Sequence, residues 1–250
     1  MKRVLLTIVI MASIALLAFM VPSSHLTIFM AGDSTMAVKD PRAYPETGWG
    51  MPFKYMFDST VTVTNLAKNG ASTKSFIAEG LWQKIYDGLK PGDYVLIQFG
   101  HNDEIPTKAT ATTPEVFRSN LVRFINDTRA KQGIPVLITP VARRKFNDKG
   151  MVEGTHDAYS AIVRDVASAE HIMLIDLDRD SQALLQKLGP ENSKFLYNHL
   201  ESGEHPNYPK GKMDDTHFSE LGARKVAELV LDQIRSQNFG LAQHIINERK

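Results

Sequence analysis

Short apolar runs recur along this chain and alternate with polar segments of helical periodicity. The first run, Leu26 to Thr35, alternates apolar residues and then breaks at Ala-Gly into Asp33, Ser34 and Thr35. An apolar run bounded by a turn predicts a buried strand, here one that presents a serine at its carboxyl end. Four later runs have the same character and predict strands over residues 61–65, 94–99, 134–139 and 172–177.

Apolar residues at helical spacing fill the intervals between these strands. Ser72 has the position of an N-cap for a helix through Lys84, and Thr112-Thr-Pro-Glu115 has the form of a capping box for a helix ending at Gly133. Further helices are predicted over residues 159–169, 181–188 and 218–234, with residues 189–215 irregular. Parallel strands need crossovers, and helical crossovers cover both faces of a sheet. The predicted fold class is therefore α/β, a three-layer α/β/α sandwich around a central five-stranded parallel sheet.

The amino-terminal segment follows a different pattern. Lys2 and Arg3 precede an almost continuous apolar stretch from Val4 to Met20, and small residues follow in Val21-Pro-Ser-Ser24. This arrangement is typical of an export signal, although the apolar stretch is also near the length of a bilayer-spanning anchor. We expect residues 1–23 to be a signal peptide or an N-terminal membrane anchor. Residues 24–250 would then form one domain that is secreted or periplasmic.

Composition narrows the possible partners and chemistry. The 250 residues, 43% hydrophobic and 23% charged, suit a single domain with a sizeable core. A net charge of +1 gives no electrostatic footprint for nucleic acid or an anionic membrane. The absence of cysteine excludes disulfides, thiolate zinc sites and a cysteine nucleophile. Gly32 and Gly70 stand in neither phosphate-binding glycine motif, so a nucleotide cofactor has no local support.

A serine nucleophile needs a base that takes its proton and a carboxylate that orients this base. His217 stands in Asp214-Asp-Thr-His just before the last predicted helix. A carboxylate three residues earlier on an irregular turn can reach Nδ1 of the histidine, which leaves Nε2 for the serine. Asp214 is therefore the expected orienting group, and Asp215 is expected to point elsewhere and bond the backbone.

The developing oxyanion also needs hydrogen-bond donors. Gly70 follows the second predicted strand, and Asn102 follows the third. A glycine N–H is unobstructed by a side chain, and an asparagine amide is an uncharged donor. With the N–H of Ser34, these groups would supply three donors at one edge of the sheet.

Four motifs in this order resemble those of the SGNH (GDSL) hydrolase family: GDST at Gly32 to Thr35, NG at Asn69-Gly70, GHND at Gly100 to Asp103 and DDTH at Asp214 to His217. The resemblance spans residues 26–238 and implies the flavodoxin-like fold of SGNH hydrolases. By it, Ser34 would be the nucleophile and one oxyanion donor, with Gly70 and Asn102 as the other donors. His217 would be the base and Asp214 its partner.

A narrower likeness, to rhamnogalacturonan acetylesterases, is carried by Gly48-Trp-Gly50, residues 75–80, residues 98–103 and Thr139-Pro-Val-Ala-Arg-Arg144. It implies removal of acetyl groups from an acetylated pectic polysaccharide or oligosaccharide. The alternatives are a lipase or thioesterase of the same family and a non-catalytic carbohydrate-binding protein. We expect neither a cofactor nor a metal.

A few other residues have two interpretations. His101 and Asp103 could form a metal site with His199 or His205, but no strong ligand spacing such as HExxH is present. Trp49 is either a core residue or a platform for a sugar ring. Arg143 and Arg144 follow the fourth predicted strand, where they would be either solvated or placed to meet a uronate.

Overall fold

A computed structural model describes residues 25–246 of the chain. The segment predicted to be a signal peptide or anchor, residues 1–23, lies outside the described residues. Five strands form one parallel sheet in the order β2-β1-β3-β4-β5. They are β1 Leu26–Gly32, β2 Val61–Asn65, β3 Tyr94–Gln98, β4 Ile134–Ile138 and β5 Met173–Ile175.

Helices cover both faces of this sheet. They are α1 Gly50–Phe53, α2 Thr73–Ala78, α3 Leu81–Gly88, α4 Pro114–Ala130, α5 Asp157–Ala169, α6 Leu177–Asn192 and α7 Glu220–Ser236. Alternation along β1 sends Ile28 and Met30 into a core with α6 and α7, whereas Phe29 and Ala31 enter a second core with α2 to α5. The predicted three-layer α/β/α sandwich with a five-stranded parallel sheet is confirmed. Among residues 25–246, no helix has both the length and the apolar character needed to cross a bilayer.

The helix predicted from Ser72 through Lys84 is two helices. Ser72 caps α2 as predicted, in a reciprocal capping box with Ser75. Gly80 then adopts a left-handed conformation with φ +71°, which ends the first helix and lets α3 begin at Leu81. The next helix, α4, is capped by Thr113 rather than by Thr112, with its proline in the first helical position.

Residues 189–215, predicted to be irregular, contain regular structure. Strand β6, Tyr197–Leu200, pairs with β7, Lys212–Phe218, in an antiparallel two-stranded sheet of its own. The helix α6 also begins four residues earlier than predicted, at Leu177, where Asp176 is its N-cap. The prediction missed β7 because its residues alternate between partial burial and exposure and include no apolar run.

The strand order determines which loops meet. Strand β1, which presents Ser34, lies between β2 and β3, whose carboxyl ends lead to Gly70 and Asn102. Connections that depart in opposite directions from adjacent parallel strands leave a crevice at this edge, where ligands bind in open α/β sheets. Three of the five predicted site residues therefore come from neighbouring loops.

Candidate active site

Ser34, His217 and Asp214 form a continuous hydrogen-bonded relay. His217 Nε2 lies 2.9 Å from Ser34 Oγ, and His217 Nδ1 lies 2.9 Å from Asp214 Oδ2. A carboxylate only accepts hydrogen bonds, so it holds the imidazole proton on Nδ1 and leaves Nε2 free to accept the serine proton. The geometry is that of a nucleophile, a base and a group that orients the base.

A bulge in β7 places the histidine. On β6, Tyr197 and Asn198 are consecutive, but their partners on β7, Phe218 and Asp214, are separated by three residues. Asp214 Oδ1 accepts the N–H groups of the two bulge residues nearest Phe218, each at 2.9 Å. Bulges redirect side chains beside active sites, and this one turns His217 toward the main sheet. The turn inferred from the sequence is thus a distortion within a strand.

The two adjacent aspartates have different environments. Burial raises the pKa of Asp214, but hydrogen bonds from the ring and backbone of His217, together with the N–H of residue 216, outweigh burial and hold this pKa below its usual range. Asp215 points away from the relay, as expected. Its carboxylate does not bond the backbone, however, but lies 2.8 Å from Arg144 Nη1 and 2.8 Å from His199 Nε2.

The proposed oxyanion donors line the same cleft as Ser34 and His217. The backbone N–H groups of Ser34 and Gly70 donate to no acceptor among residues 25–246. Gly70 has φ +76°, and a Cβ at this position would meet nothing within 4 Å, so the backbone conformation rather than space favours glycine. Asn102 Nδ2 donates to Ala71 O at 2.8 Å, which leaves its second hydrogen uncommitted.

Buried polar groups support the serine turn from below. Gln98 Oε1 accepts from Trp49 Nε1 at 2.8 Å, while Gln98 Nε2 donates to Thr35 Oγ1 at 2.7 Å. The Thr35 hydroxyl donates in turn to Asp33 Oδ1 at 2.8 Å. Trp49 is fully buried, so it is a core residue and not a sugar platform. A Cβ at Gly48 would lie 2.0 Å from a backbone oxygen of the serine turn, which explains the glycine beside this tryptophan.

Two lysines that the sequence did not single out hold asparagines at the cleft. Lys39 Nζ lies 2.9 Å from Asn69 Oδ1 and 2.7 Å from Glu46 Oε1, with the side chain of Lys39 only 2% exposed. Lys108 Nζ lies 2.5 Å from Asn102 Oδ1. Isolated charged residues in loops ordinarily indicate a solvated surface, so no sequence signal distinguished these two.

The two consecutive arginines face different surroundings. Arg143 lines the cleft, where its Nη2 donates to His101 O at 3.3 Å and lies 3.8 Å from Glu104 Oε1. Arg144 does not line this cleft and is instead held by Asp215 and by residues at the end of α6. His101 is buried, and burial lowers its pKa well below the usual value, with help from the neighbouring charges of His156 and Arg143.

The group of three potential metal ligands found within residues 25–246 is Glu46, Asp214 and His217, with ligand atoms within 4.8 Å of one another. It differs from the His101 and Asp103 set considered from the sequence. Two of its members already form the relay with Ser34, and Glu46 is paired with Lys39. These residues are therefore engaged with one another.

A comparison with known protein families matches most of the chain. A model described as the GDSL-like Lipase/Acylhydrolase family matches residues 30–225, which include every predicted site residue. The chain belongs to this family. The predicted resemblance is confirmed, and this GDSL-like hydrolase is a carboxylic ester hydrolase.

Curated relatives match the GDSL-like hydrolase over most of its length. It is 41% identical to rhamnogalacturonan acetylesterase RhgT of Bacillus subtilis (strain 168), over 88% of this chain and 94% of the relative. It is 32% identical to the probable rhamnogalacturonan acetylesterase YesY of the same organism, over 89% of this chain and 98% of the relative. A crystal structure of YxiM from Bacillus subtilis matches it with a TM-score of 0.76 and 28% identity, over 88% of this chain and 59% of that one.

Proposed function

We propose that this protein is a serine acetylesterase that removes O-acetyl groups from rhamnogalacturonan, a pectic polysaccharide. The observation that carries the proposal is the Asp214–His217–Ser34 relay, with both of its hydrogen bonds at 2.9 Å, at the edge of a cleft with unengaged donors. Two relatives that match most of the chain are named rhamnogalacturonan acetylesterase and probable rhamnogalacturonan acetylesterase, and these names support the pectic substrate.

In the proposed reaction, Ser34 Oγ attacks the acetyl carbonyl carbon while His217 Nε2 accepts the hydroxyl proton. The N–H groups of Ser34 and Gly70 and the amide of Asn102 stabilise the oxyanion of the tetrahedral intermediate. His217 returns the proton to the departing sugar oxygen, which leaves an acetyl-serine. A water molecule, deprotonated by the same histidine, then releases acetate and restores the serine.

The character of the cleft favours a short acyl group. Its volume is about 380 Å³, and Ile105 is the one large aliphatic side chain among the lining residues. A long acyl chain would need an extended apolar lining, so this cleft argues against the lipase alternative. A protein that only bound carbohydrate would have no use for an imidazole held between a carboxylate and a serine.

Arg143 supports a substrate that carries uronate groups. Its guanidinium lines the same cleft as His217, and its one acidic partner within 4 Å among residues 25–246 is Glu104, at 3.8 Å. Guanidinium groups bind carboxylates through strong, charge-assisted hydrogen bonds. The galacturonate residues of a pectic chain would supply such carboxylates beside the acetylated sugar.

The proposal includes export. A cationic start at Lys2 and Arg3 followed by the apolar stretch Val4 to Met20 supports delivery across the cytoplasmic membrane, to a polymer too large to enter the cell. Fractionation of the producing cells, with amino-terminal sequencing of the protein, distinguishes a cleaved signal from a retained anchor. Protein found in the cytoplasm with an intact amino terminus would contradict export.

The activity is tested by measuring acetate release from acetylated rhamnogalacturonan, acetylated xylan and a long-chain 4-nitrophenyl ester. We expect the highest kcat/KM on rhamnogalacturonan and no activity in Ser34→Ala, because its methyl side chain cannot attack. A preference for the long-chain ester would favour a lipase, and a preference for xylan would refute the pectic substrate. A serine-directed phosphonate that labelled Ser72 instead of Ser34 would refute the assignment of the nucleophile.

A further inference from the structure

The loop after β3 brings a lysine ammonium to the side chain of Asn102. Lys108 Nζ lies 2.5 Å from Asn102 Oδ1, and Asn102 Nδ2 donates to Ala71 O at 2.8 Å. An ammonium only donates and a carbonyl oxygen only accepts, so both contacts require the same orientation of the amide. One Nδ2 hydrogen is directed at Ala71, and the other is left for a ligand.

The backbone of Lys108 is itself fixed by the loop. Its N–H donates to Ile105 O at 2.9 Å, and its carbonyl accepts the Ala111 N–H at 3.0 Å. Lys108 is an exposed residue, but its ammonium meets an amide that is only 4% exposed. A charge-assisted hydrogen bond to a buried group is stronger than one between two solvated groups.

We propose that Lys108 is a positioning residue that directs the free Asn102 N–H toward the oxyanion and strengthens it as a donor. The inference rests on the proposed role of Asn102 as an oxyanion donor. An ammonium at Oδ1 fixes the orientation of the amide and also polarises it, since hydrogen bonds in a chain reinforce one another. The benefit is greatest when the substrate oxygen carries charge, so it raises kcat more than it lowers KM.

The test uses 4-nitrophenyl acetate, a neutral ester without a carboxylate that Lys108 could bind directly. We expect Lys108→Met to lower kcat about tenfold, less than removal of the donor itself would, with KM changed less than about twofold. Lys108→Arg keeps a charged donor and should retain most of the activity. Lys108→Gln keeps a neutral donor, and its kcat should lie between those of the other two variants. It replaces Lys108→Met in the test if circular dichroism shows that the methionine variant is unfolded.

Lys74→Met is the matched control. Lys74 Nζ donates to Ala109 O at 3.1 Å, so it contacts the same loop but does not reach Asn102. We expect this variant to retain the wild-type kcat. An equal loss of kcat in Lys74→Met and Lys108→Met would mean that the loop as a whole matters, and it would overturn the proposal.

A double-mutant cycle separates this inference from the proposed function. If Lys108 acts through Asn102, Lys108→Met should cost nothing further in the Asn102→Ala background. The same loss in both backgrounds, or an effect on KM alone, would overturn the positioning role. If kcat falls in Asn102→Ala but not in Lys108→Met, the positioning role of Lys108 is refuted and the donor role of Asn102 stands. Wild-type kcat in Asn102→Ala would refute the donor assignment and, with it, this inference.

Discussion

Asp103 Oδ1 accepts hydrogen bonds from both the backbone N–H and the hydroxyl of Thr73, at 3.0 and 2.6 Å. Thr73 is the first residue of α2, which follows the Asn69-Gly70 turn, and Asp103 directly follows Asn102. One buried carboxylate therefore ties together the two segments that carry proposed oxyanion donors. From the sequence, Asp103 was considered only as a metal ligand.

Stability should respond to the ionisation of Asp103. Burial raises the pKa of Asp103 to about 6, although hydrogen bonds from Thr73 and Thr112 favour the carboxylate. This pKa is higher in the folded protein than in the unfolded chain. The contribution of Asp103 to stability is therefore complete at pH values below the pKa of the unfolded chain, and it is lost as pH rises through about 6. Relative to the non-ionising variant Asp103→Asn, wild type should lose up to about 3 kcal/mol in the free energy of unfolding between roughly pH 4 and 7.

Urea denaturation of both proteins across this pH range measures that difference directly. The absolute stability of Asp103→Asn is not the test, since its amide cannot reproduce every hydrogen bond that the carboxylate accepts. A difference between the two proteins that stays constant with pH would contradict the raised pKa.

The adjacent aspartates should differ sharply in their effect on activity. Asp214→Asn should lower kcat about 10³–10⁴-fold, because an amide can donate to Nδ1 and so favour the wrong tautomer of His217. Asp215→Asn weakens a partly exposed ion pair with Arg144 and should cost less than about tenfold. Steady-state kinetics on an acetyl ester compare the two, with thermal unfolding as the check on folding. A larger loss of kcat in Asp215→Asn than in Asp214→Asn would show that Asp214 does not orient His217.

The pH dependence should report one essential ionisation. His217 must be neutral to accept the serine proton, so kcat/KM should rise with pH and then reach a plateau. The lowered pKa of Asp214 keeps its carboxylate ionised throughout this range, so the acid limb should have a slope of one on a logarithmic plot. A slope of two would reveal a second essential group.

Chelation should leave the reaction unaffected, because the relay generates the nucleophile from the protein's own side chains. Activity after EDTA treatment and dialysis should equal that of the untreated enzyme. Loss of activity that a divalent ion restores would favour a metal mechanism over the serine relay.

Arg143→Gln should discriminate between charged and neutral substrates. The loss of a charge-assisted hydrogen bond should lower kcat/KM for acetylated rhamnogalacturonan oligosaccharides about 10–100-fold. The loss on 4-nitrophenyl acetate should be smaller, since this ester has no carboxylate. Lys145→Gln is the control, because it removes a nearby positive charge that does not line the cleft. Equal losses on both substrates in Arg143→Gln would contradict the uronate contact.

The elements that could be predicted from the sequence are those specified by residues close together in the chain. Apolar runs located the five parallel strands, and turn chemistry at Ser72 located a helix start. The strand β7 could not be found in this way, because its pairing with β6 and the bulge around His217 depend on contacts distant in sequence. The helix break at Gly80 was missed because the spacing of apolar residues does not indicate that a single residue adopts a left-handed conformation.

The proposed site residues could be selected from the sequence because each stands in a short recognisable motif, after a predicted strand or before a predicted helix. The lysines that hold Asn69 and Asn102 lie outside those motifs. Their contacts with the two asparagines depend on the direction of a flexible side chain, which neither spacing nor composition encodes.

The separation of the two sheets also has a consequence for the newborn chain. Ser34 leaves the ribosome early, whereas the bulged strand that carries His217 follows 183 residues later. In the proposed mechanism, the Ser34 hydroxyl of a growing polypeptide therefore stays unactivated until β7 has brought His217 within reach of it. In the proposed mechanism, ester hydrolysis can begin only after β7 has been synthesised and His217 has reached Ser34, so the appearance of activity would report that step of folding.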